Sequence, residues 1–174
     1  MQRKLLLLNI IIFFLLLLIF TISLSSKSNY KTFQNDVFSL RWRFIGNNIE
    51  IIIKAESTGW IAIGFEPENV MKGADIYIGY VDKNNNVFID DQYGNTMFTH
   101  ISDKKLGGKN NILQFWGNQK GEFTEIGFII PTNSGDKYDK KFIKGKTYTV
   151  LLACGKKDDF TTIHSYKTKI KIKL

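Results

Sequence analysis

Over residues 37–44 apolar and polar positions alternate: Phe38, Leu40, Trp42 and Phe44 fall on one face, Ser39, Arg41 and Arg43 on the other. A period of two marks a half-buried β-strand. Gly46-Asn47-Asn48 supplies turn residues that accept positive φ, and 49–55 returns as the second strand of a hairpin. Further strands are predicted at 60–65, 74–81, 87–90 and 147–154, with a second hairpin of 111–116 and 122–130 around 117–121. In the last strand Tyr166, Thr168, Ile170, Ile172 and Leu174 alternate with Lys167, Lys169, Lys171 and Lys173. Lysines along one face suit an edge strand that must not pair with another chain. The segment 91–108 is irregular and 131–141 is a polar loop carrying Asp136 and Asp139; no helical period survives anywhere after the leader. Short strands with regular turn signals predict an all-β sandwich.

The first residues follow a different rule. Arg3-Lys4 precede an apolar run from Leu5 to Leu24, and Ser23, Ser25 and Ser26 close it. A basic start, an apolar stretch and small residues are expected of a secretory signal over 1–26, cleaved near Ser25 or Ser26. The run is also long enough to remain as a membrane anchor. Either way the remainder is expected outside the cytosol, and it is long enough for one domain with a core of its own. The single cysteine, Cys154, leaves no internal disulfide and reads as a buried thiol. A net charge of +8, spread over dispersed lysines, fits solubility and attraction to anionic surfaces. No nucleic-acid-binding motif is present.

Candidate chemistry is sparse. His100 and His164 are the two histidines, and there is no Gly-X-Ser-X-Gly elbow, so a hydrolytic triad finds no support. Asp90-Asp91 and Asp158-Asp159 are neighbours whose side chains point to opposite faces of a strand, which argues against paired acid and base. Asp82-X-Asn84-X-Asn86 lacks the glycine and glutamate of a calcium loop and reads as a turn. Cys154, His164, His100 and Met71 are the residue types of a blue-copper site but lack its spacing. Met with His is also a haem axial pair. Met97 and His100 are three residues apart, a reach of roughly 10 Å at most. Met71 and His164 lie on distant loops.

Gly59-Trp60-Ile61-Ala62-Ile63-Gly64-Phe65, followed by Met71-Lys72-Gly73-Ala74-Asp75-Ile76-Tyr77-Ile78-Gly79, resembles the signature of DOMON domains. Asp91-Gln92-Tyr93, Gly135-Asp136-Lys137-Tyr138-Asp139 and the 145–155 block before His164 follow in the family's order, so the likeness covers 33–174. The resemblance implies an immunoglobulin-like β-sandwich of about nine to eleven strands, mostly extracellular, that binds haem or sugar. In haem-binding members the iron lies between a Met of the Gly-Ala-Asp loop and a His near the C-terminus. Here these are Met71 and His164, as axial ligands of a b-type haem serving electron transfer to an unknown redox partner. The module is then secreted, or membrane-attached if the leader stays, and is no enzyme by itself. The alternative is a haem-free module binding carbohydrate or protein, with Tyr93, Trp116 or Tyr138 as stacking residues.

Overall fold

The computed structural model describes residues 29–174. The predicted signal or anchor over 1–26 lies outside the described residues. Among the described residues no helix is long and apolar enough to cross a membrane.

Two antiparallel sheets face each other. The first orders its strands β1 (Lys31–Gln34), β2 (Phe38–Ile45), β3 (Asn48–Glu56), β9 (Phe123–Pro131) and β8 (Gln114–Lys120). The second runs β11 (Tyr166–Lys173), β10 (Thr147–Cys154), β4 (Ile61–Phe65), β5 (Asp75–Val81), β6 (Val87–Tyr93) and β7 (Ile101–Ser102). A single 3-10 turn, Asp103–Leu106, follows β7. This is the β-sandwich that the alternation predicts, with eleven strands.

Burial explains the register. Phe38, Leu40 and Trp42 of β2 point inward beside Ile49, Ile51 and Ile53 of β3, and meet Ile61, Ile63 and Phe65 of β4 and Tyr148, Val150 and Leu152 of β10. Slipping any of these strands by one residue would turn its apolar row to solvent. The aromatic rings lock together: Tyr77 stacks on Phe128 at 4.9 Å, and Phe65 meets Phe142 edge-on at 4.9 Å. Outside the first sheet, Arg41 pairs with Glu125 and Arg43 with Glu50. The lysine-bearing β11 is an edge strand, as its pattern predicts, and Cys154 is buried.

The structure departs from the sequence expectation in three places. β1, with its mostly exposed KTFQ, carries no inward period and exists because it pairs with β2. β8 continues through 117–120, so the hairpin turns only at Gly121-Glu122, where Gly121 takes φ 60°. The irregular 91–108 contains β7 and the 3-10 turn.

The register of the second sheet fixes which loops share an end of the sandwich. β4 runs antiparallel to both neighbours, with Phe65 opposite Asp75 and Val150, and Ile61 opposite Gly79 and Cys154. The β4–β5 loop and the start of β10 therefore lie at one end, called here the aspartate end. The β10–β11 loop lies at the other.

Candidate functional site

Met71 sits at the aspartate end, in a tight turn bridged between Asn69 and Lys72. Its neighbour Val70 adopts φ 54°, a left-handed conformation that a β-branched side chain rarely takes. The turn rests against Gly94, where a Cβ would overlap the Met71 carbonyl oxygen. Gly73 N donates to Gly94 O at 2.7 Å and Gly94 N to Ala74 O at 2.9 Å, stitching this loop to the segment after β6. Asn69 Nδ2 also reaches Met97 Sδ at 3.2 Å. His100 enters β7 on the same side, its Nδ1 donating to Gln92 Oε1.

His164 sits at the opposite end, half-buried two residues before β11. Its loop is tied there by Trp60, whose amide bonds to Lys157 O at 3.0 Å and whose Nε1 bonds to Thr162 O at 3.1 Å. Phe160 of the same loop packs 5.1 Å from Tyr80, again at that end.

The structure therefore does not bring Met71 and His164 together, and this corrects the expected ligand pair. They lie beyond opposite ends of β4, whose five residues alone span roughly 13 Å at about 3.3 Å per residue. One iron cannot bond both side chains across that length. A haem held by Met71 and His164 does not fit this arrangement. The blue-copper set fails for the same reason, with Cys154 and His164 at one end and Met71 and His100 at the other. The Met97–His100 spacing leaves His100 turned onto Gln92.

What the fold does gather is a group of aspartates at the aspartate end. Asp75 opens β5 and Asp91 lies on β6, both facing inward in phase with Tyr77, Val87 and Ile89. Asp103 begins the 3-10 turn, and Asp136 and Asp139 come from the β9–β10 loop. One oxygen each of Asp75, Asp91 and Asp139 lies within 4.8 Å of the others, and the same holds for Asp103, Asp136 and Asp139. Asp75, Asp91 and Asp103 are 1%, 0% and 1% exposed.

Asp75, Asp91 and Asp139 are each anchored by one oxygen. Asp75 Oδ2 accepts from Lys140 N at 2.9 Å and from the Tyr77 hydroxyl at 3.3 Å. Asp91 Oδ2 accepts from Asn111 N at 2.8 Å, and Asp139 Oδ2 from Asn111 Nδ2 at 2.8 Å. Asp136 accepts from Lys109 N and Tyr138 N. None of the five makes an ion pair among the described residues. Burial, reinforced by the Asp75 charge, pushes Asp91 to about 9. Burial, with Asp139 beside it, pushes Asp103 to about 7. Burial likewise holds Asp75 well above the ordinary carboxylate range and raises Asp139.

Beside this cluster Tyr93 and Tyr138, both half-buried, bring their rings to 5.2 Å. The Tyr138 hydroxyl is fixed on Leu106 O at 2.8 Å. Two of the three anticipated stacking residues thus meet. The third, Trp116, lies against Gly127 on the other sheet. At the far end a cavity of about 340 Å³ opens among Glu56, Ser57, Glu122, Cys154, Lys156 and Tyr166.

Sequence reasoning passed over Asp91 and Asp103. Asp90 and Asp91 do point to opposite faces, Asp90 meeting Gln92 and Ser102 outside. A charged residue in the inward phase of Val87 and Ile89 was the available signal for Asp91. Asp103 carried none, since its place depends on a turn with no period.

Comparison with known proteins agrees with this fold. A Drosophila melanogaster protein, MOXD1 homolog 2, is 39% identical over 56 residues, 32% of this chain and 7% of its own length. A human DBH-like monooxygenase protein 2 is 27% identical over 152 residues, 84% of this chain and 29% of its own length. The chain thus spans less than a third of either relative. Among solved structures, the cytochrome domain of Myriococcum thermophilum cellobiose dehydrogenase superposes with a TM-score of 0.57 at 6% identity, covering 83% of this chain and 81% of that one. A family profile described as DOMON domain matches residues 34–155. The chain belongs to the DOMON domain family.

Proposed function

We propose that this chain is a secreted, haem-free DOMON module that binds a carbohydrate-class ligand at the aspartate end. The observation that carries the reading is the Tyr93–Tyr138 pair, two half-buried rings beside the half-buried carboxylates of Asp136 and Asp139. Sugar rings present an apolar face and a polar edge, and aromatic rings beside carboxylates match both. The separation of Met71 from His164 supports the haem-free half of the reading and removes the motive for electron transfer. The likeness to a cytochrome domain, at 6% identity, speaks for a shared fold rather than a shared cofactor.

The test has two arms. A visible spectrum of protein produced with haem available, before and after dithionite, is expected to show no Soret band. A glycan array is expected to show binding that Tyr138→Ala weakens about tenfold, the equivalent of about 1.4 kcal/mol. A Soret band lost in Met71→Ala or His164→Ala would restore the haem reading. Array binding untouched by Tyr93→Ala and Tyr138→Ala would move the ligand elsewhere.

A further inference from the structure

The aspartate cluster poses a problem that the carbohydrate reading leaves unsolved. Three carboxylates from β5, β6 and the β9–β10 loop each have one oxygen satisfied and the other bare. Oδ1 of Asp75, Asp91 and Asp139 are buried without a hydrogen-bond partner. Asp103, 1% exposed, has neither oxygen partnered. Buried polar atoms are nearly always paired, and buried charges are paired or coordinate a metal. Here no ion pair touches the cluster among the described residues. The satisfied oxygens are held by the amides of Lys140 and Asn111 and the side chain of Asn111, so the carboxylates are oriented from behind. That is how the second shell of a metal site fixes its ligands.

We propose that the cluster is a divalent-cation site, calcium by its donor chemistry, held by Asp75, Asp91 and Asp139, with Asp103 and Asp136 completing the cluster around the shared Asp139. All donors are hard carboxylate oxygens, which select calcium, magnesium or manganese over copper and zinc. Oxygens around calcium at about 2.3–2.6 Å span about 4.6–5.2 Å across the ion, against about 4.0–4.2 Å for magnesium. A trio whose oxygens all lie within 4.8 Å of one another can share one ion, and three protein carboxylates in one site favour calcium, since magnesium keeps several waters and takes one or two carboxylates. The site joins two neighbouring strands to a long loop. In a chain with one cysteine and hence no internal disulfide, a bound cation fastens the β9–β10 loop, and Tyr138 with it, to the sandwich. The inference stands apart from the carbohydrate reading, because it requires cation binding with no sugar present.

The experiment uses protein expressed from the full chain, stripped with EDTA and returned to CaCl2 or MgCl2 alone. At a hundredfold excess over its dissociation constant, calcium is expected to raise Tm by roughly 5–10 °C, and magnesium by less. The Asp91→Asn/Asp139→Asn double variant is expected to lose the rise. Terbium reads the same site without any variant: Tyr77 touches Asp75, so tyrosine-sensitised emission should appear and CaCl2 should quench it. A wild-type Tm indifferent to calcium, or emission that calcium does not displace, overturns the proposal. A rise retained in the double variant overturns it equally, since the ion then sits elsewhere. A larger rise with magnesium refutes the assignment to calcium.

Discussion

Replacing Asp91 by Asn tests whether the aspartate end stores uncompensated charge. With no cation bound, Asp91 holds its proton in the folded protein up to about 9. In the unfolded chain it gives the proton up near the usual 3.9. Between these values the native state binds more protons than the unfolded state, so stability falls as pH rises. The contribution is whole below about 3.9 and drains away towards about 9. At pH 7 the drain from this one group is of the order of 4 kcal/mol, about 1.4 kcal/mol for each of three pH units. Asp103, Asp75 and Asp139 are shifted the same way, so their slopes carry the same sign. Asn keeps an oxygen for Asn111 N and cannot ionise. In EDTA at pH 7 the variant should therefore be more stable than the wild type, by about 1–4 kcal/mol, with a shallower fall in stability between pH 5 and 8.5. Urea unfolding followed by tryptophan fluorescence at three pH values measures both. In excess CaCl2 the order should invert, because Asn removes a ligand charge. A variant less stable than the wild type in EDTA at pH 7 would refute the charge argument.

Other expectations follow from single contacts. Val70→Gly relieves a left-handed conformation at a half-exposed position and should stabilise the domain by about 0.5–1 kcal/mol in calorimetry, after the entropy of glycine is set against roughly 1–2 kcal/mol of strain. Trp60→Phe deletes the bond from Nε1 to Thr162 O and should cost about 1 kcal/mol, with faster amide exchange across 156–163 as the local readout. Ile63→Ala empties a fully buried site between the sheets and should cost about 2–5 kcal/mol in denaturant unfolding.

Much of the fold was legible because a strand with one buried face writes a period of two. β2 and β11 declare their faces residue by residue, and β10, buried between β4 and β11, declares itself by apolar content. β1 was not legible: its four residues become a strand only through pairing with β2, a contact between distant positions. The ligand pair failed for a topological reason. Met71 follows β4 and His164 follows β10, and these strands are antiparallel neighbours, so loops leaving their C-terminal ends must diverge. Motif order along the chain carries no information on strand direction. The aspartates were half legible, since Asp91 breaks an apolar phase while Asp103 breaks none.

The Gly-Ala-Asp step drew attention as the companion of Met71, yet its geometry serves Asp75. Gly73 takes φ 77°, with Glu68 packed where a Cβ would stand. Ala74 is fully buried, leaving no room for a larger side chain. The two glycine-bearing segments then bond to each other through Gly73 N and Gly94 N. Each feature narrows the approach of the chain to β5 until the first inward position holds a carboxylate under the β9–β10 loop, where Lys140 N meets it. Met71 lies outside that path, half-exposed on the turn. The two side chains should therefore respond differently. Met71→Leu should leave stability within about 0.5 kcal/mol, as a volume-conserving change at a partly exposed position does. Asp75→Ala should cost about 2–4 kcal/mol in CaCl2, because Lys140 N and the Tyr77 hydroxyl lose their acceptor in a dry interior and the cation loses a ligand. Equal losses at both positions, measured by urea unfolding, would return the motif to its methionine.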